Sequence, residues 1–279
     1  MKDLNEEAFK ARPAYLIPIA FSLVTSGLLT LLVSATQVEL PSVGFFSEEG
    51  AGPFLNGLLF VLAMAAAGTL VLILIKHRSW RFLEIMFAGA FALVTYFLTI
   101  VYGQAFLTVL GARVNGMTLW VHILGGLSAG VATYSIFISA NRVQVFAALV
   151  FGAALGAFLG VSTPTLSAIA LFILLIMYDV FTVYRGPVGK IASQVEPERL
   201  KGVSLTFGKV HMGMGDIVFY SMLVSHMFFV YGVNSLIASS FGTLIGVYAG
   251  LKLLERRSMF PGLPLALALG LLAGLAVSL

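Results

Sequence analysis

Nine apolar runs, each long enough to approach or cross a bilayer, constrain what this chain of 279 residues can fold into. They cover approximately residues 14–35, 54–75, 82–110, 118–139, 143–160, 164–184, 212–231, 235–251 and 261–279. A helix rises about 1.5 Å per residue, so roughly 20 apolar residues span a hydrocarbon core of about 30 Å. The third run is long enough to tilt, and the fifth is short. Hydrophobic residues make up 59% of the chain and charged ones only 10%, where soluble domains carry about 25% charged residues. A soluble protein of this size could not bury so much apolar surface. The expected fold is an all-α polytopic membrane protein with nine transmembrane helices. The first run follows a charged segment, Met1 to Pro13. At about 22 residues it exceeds the apolar core of a signal peptide and reads as a retained helix.

The Lys and Arg residues, 16 in all, test that count, because the number of helices decides which loops share a face. With nine helices every one of them falls in loops on one face except Arg113. A missed helix would invert each later loop and scramble the split. The excess of positive charge marks the cytoplasmic side, so the amino terminus is expected inside and the carboxyl terminus outside. The chain then reads as a single membrane domain over 1–279, with helices one to six in 1–184, a cytoplasmic loop at 185–211 and helices seven to nine in 212–279. The absence of cysteine excludes disulfides, thiol chemistry and thiolate metal sites. Four histidines are scattered without clustering, so no metal and no cofactor is expected. The net charge of +4 is spread through short loops and gives no footprint for nucleic acid.

Small residues recur at helical spacing. Gly152, Gly156 and Gly160 form one series and Gly242, Gly246 and Gly250 another, with pairs at Gly126/Gly130 and Gly270/Gly274. Such stripes let helices approach closely where no hydrophobic drive favours association, and all four are expected at helix contacts.

Among the acidic residues only Glu84, Asp179 and Asp216 lie inside the apolar runs. Glu84 stands at the edge of its run, within reach of water and Arg81. The two aspartates are deeper, and an ionisable group in hydrocarbon costs about 2.5–3.5 kcal/mol even on lenient insertion scales, which marks it as functional. Asp179 precedes Arg185 by six residues, about 9 Å from the cytoplasmic end of its helix, and Asp216 follows Lys209 by seven, about 10 Å in. The carboxylates therefore sit at matched depth on sequential antiparallel helices, which usually pack together. Two such groups can share a proton and a water. One ionised carboxylate takes a proton from the water while the other, protonated, polarises a carbonyl, which is the chemistry of aspartic proteolysis. Paired intramembrane acids also serve proton relays, so a proton-coupled membrane transporter using the same two acids is the alternative. Transporters carry matching broken helices in their two halves, whereas the glycine and proline breaks here both lie in the last third of the chain.

Three short elements surround these acids: Tyr178-Asp179, Gly213-Met214-Gly215-Asp216 and Pro261-Gly262-Leu263-Pro264. In this order, with nine spans, they resemble the signatures of the presenilin and signal peptide peptidase family of intramembrane aspartyl proteases, of the GxGD type, and most of all a microbial presenilin homologue. The resemblance implies an aspartic endopeptidase that hydrolyses peptide bonds in transmembrane segments of other membrane proteins. It assigns Asp179 and Asp216 as catalytic, with Tyr178, Gly213, Gly215, Pro261, Gly262, Leu263 and Pro264 shaping the site or binding substrate. It implies transmembrane-helix substrates and the lipid bilayer as partners, leaves room for a homo-oligomer, and places a microbial member in the cell membrane. The cytoplasmic amino terminus and 6–7 loop match the presenilin branch. One departure stands out: the family motif is Pro-Ala-Leu, and Gly262 occupies the alanine position.

The residues also read physically. Gly213 and Gly215 leave the backbone before Asp216 bare, open to close approach by a substrate. Pro261 and Pro264 lack backbone donors, at little cost where a helix starts. Val203, Leu205 and Phe207 alternate with Ser204, Thr206 and Gly208, a short strand pattern that ends just before the glycines. Such a strand, with Leu205 at its centre, could hold an unwound substrate by β-augmentation; a loop lying on the membrane surface is the other reading. Tyr178 is expected to pack with partial polar contact, because consecutive helical residues point in different directions.

Overall fold

The computed structural model describes residues 10–36, 40–111, 118–139, 141–185, 204–207, 210–255 and 261–278. Residues 1–9, Arg113 and most of the expected 185–211 loop, including Val203, Gly208 and Lys209, lie outside the described residues. Nine α-helices appear among the described residues. They are α1 (Ile17–Ser34), α2 (Gly52–Lys76), α3 (Trp80–Val109), α4 (Thr118–Phe137), α5 (Asn141–Ser162), α6 (Thr165–Arg185), α7 (Met214–Tyr231), α8 (Val233–Leu254) and α9 (Leu263–Ser278). Eight are long and apolar enough to cross a membrane. The chain is an all-α, multi-pass membrane protein, as its apolar runs require.

The ninth helix differs from expectation in length. α9 has 16 residues, a rise of only about 24 Å. Pro261 and Gly262 precede the helix instead of opening it, and its first residue meets Asp179 within the bundle. A helix that begins below the surface needs fewer residues to complete its course.

Contacts at the two ends agree with the alternation of a nine-helix chain. At one end the backbone N–H of Ala11 donates to Oε1 of Glu255 at 2.5 Å, joining the segment before α1 to the end of α8. At the other end Glu48, in the α1–α2 connection, caps the start of α6. Its carboxylate accepts from the Leu166 N–H at 2.8 Å and from the Ser167 hydroxyl. Free N–H groups at a helix start need such acceptors, and a carboxylate also complements the dipole. Asn56 of α2 completes the tie by accepting from Phe45 and Phe46 N–H, each at 2.9 Å, and donating to Ser167 at 2.9 Å.

The core is centred on α7. In its most apolar stretch 67% of residues are buried within the bundle, against 6% for α2 at the rim. α7 packs on α1, α5, α6, α8 and α9. Glycines set the closest approaches. A Cβ on Gly156 would stand 2.5 Å from the Val218 carbonyl oxygen, and one on Gly160 2.5 Å from that of Met222, so α5 lies directly against α7. Gly242 and Gly246 meet the α9 backbone at Leu269 and Leu265 in the same manner, and Gly270 meets Thr243 in return. The Gly126/Gly130 pair is a correction, because a Cβ on either would find nothing within 4 Å. The contact on α4 is one residue earlier, where Gly125 lies 3.0 Å from the Tyr96 ring by the same measure. A turn of a single residue joins α7 to α8: Gly232, at φ 86°, adopts a conformation other residues resist.

Between α6 and α7 the strand pattern is realised and extended. β1 (Ser204–Phe207) pairs antiparallel with β2 (Val210–Gly213), in the register Ser204 to Gly213 and Leu205 to Met212. The seventh helix was expected from residue 212. It starts at Met214 because Met212 and Gly213 still belong to the ladder.

Candidate active site

Asp179 and Asp216 reach one place by different routes. Asp179 lies six residues before the end of α6, on a partly buried face. Asp216 is in the first turn of α7, whose N-cap residue, Gly213, keeps an extended backbone (φ −66°, ψ 141°). An acid at the third helical position can turn back to the N-cap amide, and the Gly213 N–H is directed at the Asp216 carboxylate in this way. The strand therefore runs straight into the turn that carries Asp216. The two carboxylates are close enough to interact electrostatically.

The segment before α9 closes the site from a third side. The Leu263 N–H donates to Oδ2 of Asp179 at 3.1 Å. A Cβ on neighbouring Gly262 would lie 3.0 Å from Oδ2 of Asp216. Adjacent residues of one turn thus touch both carboxylates. Pro261 and Leu263 are buried and hold the turn in the bundle, while Pro264, half-buried, takes the second helical position. That place suits proline, since the amide it lacks would be unpaired there.

Space is left open on one side. Gly213, Gly215 and Gly262 are exposed, and both aspartates are partly exposed. A Cβ on Gly215 would meet only the Phe219 ring, at 3.9 Å, and one on Gly213 only the Asp216 carboxylate, at 3.9 Å. Packing does not require glycine at these two positions, in contrast to Gly156 or Gly160.

Of two further expected site residues, Tyr178 packs as its helix position predicts, and Leu205 faces inward. Tyr178 is half-buried and packs against the central apolar cluster. Leu205 is 1% exposed, packed with Phe91, Leu149, Phe151, Met214 and Ile217, so its side chain anchors the hairpin beneath α7 instead of facing outward. The alternating pattern defines two faces of a strand but cannot say which one is covered. Sequence reasoning missed Tyr220, whose hydroxyl donates to the Gly262 carbonyl at 3.0 Å. The available signal was its place four residues after Asp216, on the same helix face, together with the need of any buried tyrosine hydroxyl for a partner. It also missed β2, although Val210 and Met212 alternate with His211 and Gly213 shortly after β1.

The intramembrane histidines are engaged elsewhere. His122 Nδ1 pairs with the Tyr96 hydroxyl at 2.8 Å, and His226 Nδ1 with the Gly160 carbonyl at 2.8 Å. Among the described residues no three side chains group to hold a metal ion.

The chain matches no protein-family model and no curated protein. Its fold does match solved structures. One, of a presenilin family intramembrane aspartate protease in the C222 space group, superposes over 95% of this chain and 97% of that one, with 19% identity and a TM-score of 0.67. A second, of a presenilin family intramembrane aspartate protease in the P2 space group, covers 94% of this chain and 97% of that one, with 20% identity and a TM-score of 0.64. At this level of identity the likeness establishes a shared fold along nearly the whole chain.

Proposed function

We propose that this chain is an intramembrane-cleaving aspartyl protease of the presenilin and signal peptide peptidase family, hydrolysing peptide bonds in transmembrane segments of other membrane proteins. The observation that carries the reading is the meeting of Asp179 and Asp216 around the Gly262–Leu263 turn. Two neighbouring carboxylates ionise in separate steps, so a state with one proton between them persists over a wide pH range. In that state the ionised group takes a proton from a water. The protonated group donates to the scissile carbonyl, and the water oxygen attacks its carbon. Collapse of the tetrahedral intermediate returns a proton to the leaving amine. Asp179 already accepts the Leu263 N–H, which orients it without neutralising it.

A helical peptide bond is shielded by its own hydrogen bonds, so the substrate must be unwound before attack. The hairpin leading into Gly213 supports this step. An extended segment added to its edge would be held by main-chain bonds that tolerate many side chains. The bare backbone at Gly213 and Gly215 would let that segment reach Asp216. The positive-inside distribution supports a cytoplasmic amino terminus and a site near the cytoplasmic face. The proton-coupled transporter is disfavoured because both backbone irregularities converge on one site and neither has a counterpart among the described residues of the first half.

A hydroxyl-bearing peptide isostere, which mimics the tetrahedral intermediate of aspartic proteolysis, tests the proposal. It should raise the unfolding midpoint of the purified protein and leave Asp179→Asn and Asp216→Asn unshifted. An equal response in all three would count against the dyad. Proton flux into proteoliposomes that both substitutions abolish, without stabilisation by the isostere, would favour transport.

A further inference from the structure

The Gly262 carbonyl and the Leu263 N–H belong to a single peptide group, and both of its polar atoms are bonded. The oxygen accepts from the Tyr220 hydroxyl of α7 at 3.0 Å, and the N–H donates to Asp179 of α6 at 3.1 Å. A peptide group is planar and rigid, so fixing its oxygen also fixes the direction of its N–H. The flanking bonds offer little other restraint on one side, because Gly262 lacks the Cβ that would narrow its backbone freedom. Tyr220 is 1% exposed and cannot exchange its partner for bulk water. It also stands one helical turn after Asp216. A hydrogen-bonded path therefore runs from the Asp216 turn, through Tyr220 and one peptide plane, to the carboxylate of Asp179.

We infer that Tyr220 is a positioning residue, which sets the orientation of Asp179 relative to Asp216 by clamping the Gly262–Leu263 peptide. The inference rests on the protease reading above. A tyrosine that merely fills the core would be replaced by phenylalanine with little effect on chemistry. A clamp would not, because without the hydroxyl the peptide plane can turn and carry the Leu263 N–H away from Asp179.

The test compares wild type, Tyr220→Phe and Asp216→Asn as full-length proteins in detergent, with a single-span substrate, recording kcat, KM and the pH dependence of kcat. Rates are expressed per folded molecule, from the size-exclusion monodisperse fraction, so that a loss in yield does not imitate a loss in chemistry. Tyr220→Phe should lower kcat about tenfold, the loss expected from one hydrogen bond, leave KM within about twofold, and displace one limb of the pH profile. Tyr220→His, which retains a ring donor, should recover part of the loss. Wild-type kcat and both pH limbs retained in Tyr220→Phe, with Asp216→Asn inactive, would overturn the clamp while leaving the protease reading intact. A lower kcat with unmoved limbs and no recovery by histidine would reduce Tyr220 to a packing role and overturn it too. No cleavage by wild type would overturn both readings.

Discussion

The backbone N–H of Leu263 donates a 3.1 Å hydrogen bond to Oδ2 of Asp179. These residues lie on the sixth and ninth helices, far apart in the chain, yet a main-chain donor meets a side-chain carboxylate within the bundle. Pro261 and Pro264 lack backbone donors, while Gly262 and Leu263 between them keep theirs. Leu263 is also the first residue of α9, where proline is tolerated. Leu263→Pro should therefore preserve the helix while deleting the bond, together with the packing of the buried leucine side chain. Hydrogen bonds to charged groups are worth about 1.5–3 kcal/mol, so kcat/KM should fall roughly tenfold to a hundredfold. Unchanged turnover of a fluorogenic single-span substrate would show that the bond has no part in the chemistry.

Gly262 sits where the family it resembles carries alanine. A Cβ there would lie 3.0 Å from Oδ2 of Asp216, so the carboxylate would have to yield by a few tenths of an ångström. The backbone of Gly262 has no positive φ to forbid the change. Replacing glycine by alanine at a compatible site typically stabilises by about 0.4–1 kcal/mol through the unfolded chain. Gly262→Ala should raise the thermal midpoint slightly and lower kcat several-fold. A variant both more stable and fully active would mean that Asp216 has room to move.

The glycine stripes divide into those that set helix contacts and those that do not. Gly156→Ala would force Cβ to 2.5 Å from the Val218 carbonyl oxygen and push α5 from α7. Overpacking of this type costs about 1–3 kcal/mol. Gly126→Ala meets open space and should gain up to about 1 kcal/mol of helix propensity. Thermal unfolding of the two variants in one detergent should move in opposite directions, and a shared direction would contradict the packing described.

Leu205 ties the hairpin to the bundle through its side chain, at 1% exposure. Truncation of a buried leucine typically costs about 2–5 kcal/mol. Leu205→Ala should loosen β1 and β2 before it loosens the helices. Hydrogen exchange is expected to quicken at residues 204–207 and 210–213 while α7 stays protected, and cleavage should fall together with hairpin protection. Activity that survives loss of protection would remove the hairpin from substrate binding.

Much of this architecture was legible in the chain. Length, hydropathy and the alternation of basic loops predicted nine helices, and the ties from Ala11 to Glu255 and from Glu48 to Ser167 join the ends that this alternation pairs. The alternation of Leu205 with its neighbours marked β1, because a period of two is visible locally. Val210 and Met212 continue the same period, but the glycine motif that follows suggested a helix start, so β2 was missed. The inward face of Leu205 and the offset from Gly126 to Gly125 depend on what covers a surface. The bond from Tyr220 to Gly262 joins residues 42 apart, and only packing of α7 against the entry to α9 reveals it.

The central claim is that Asp179 and Asp216 act together on a peptide bond inside a membrane span. It is tested most directly by incubating the purified full-length protein with a single-span substrate in lipid bicelles and identifying the products by mass spectrometry. Wild type should yield two complementary fragments cut within the span, while Asp179→Asn and Asp216→Asn each yield none. Fragments at the wild-type position from either variant would contradict the account.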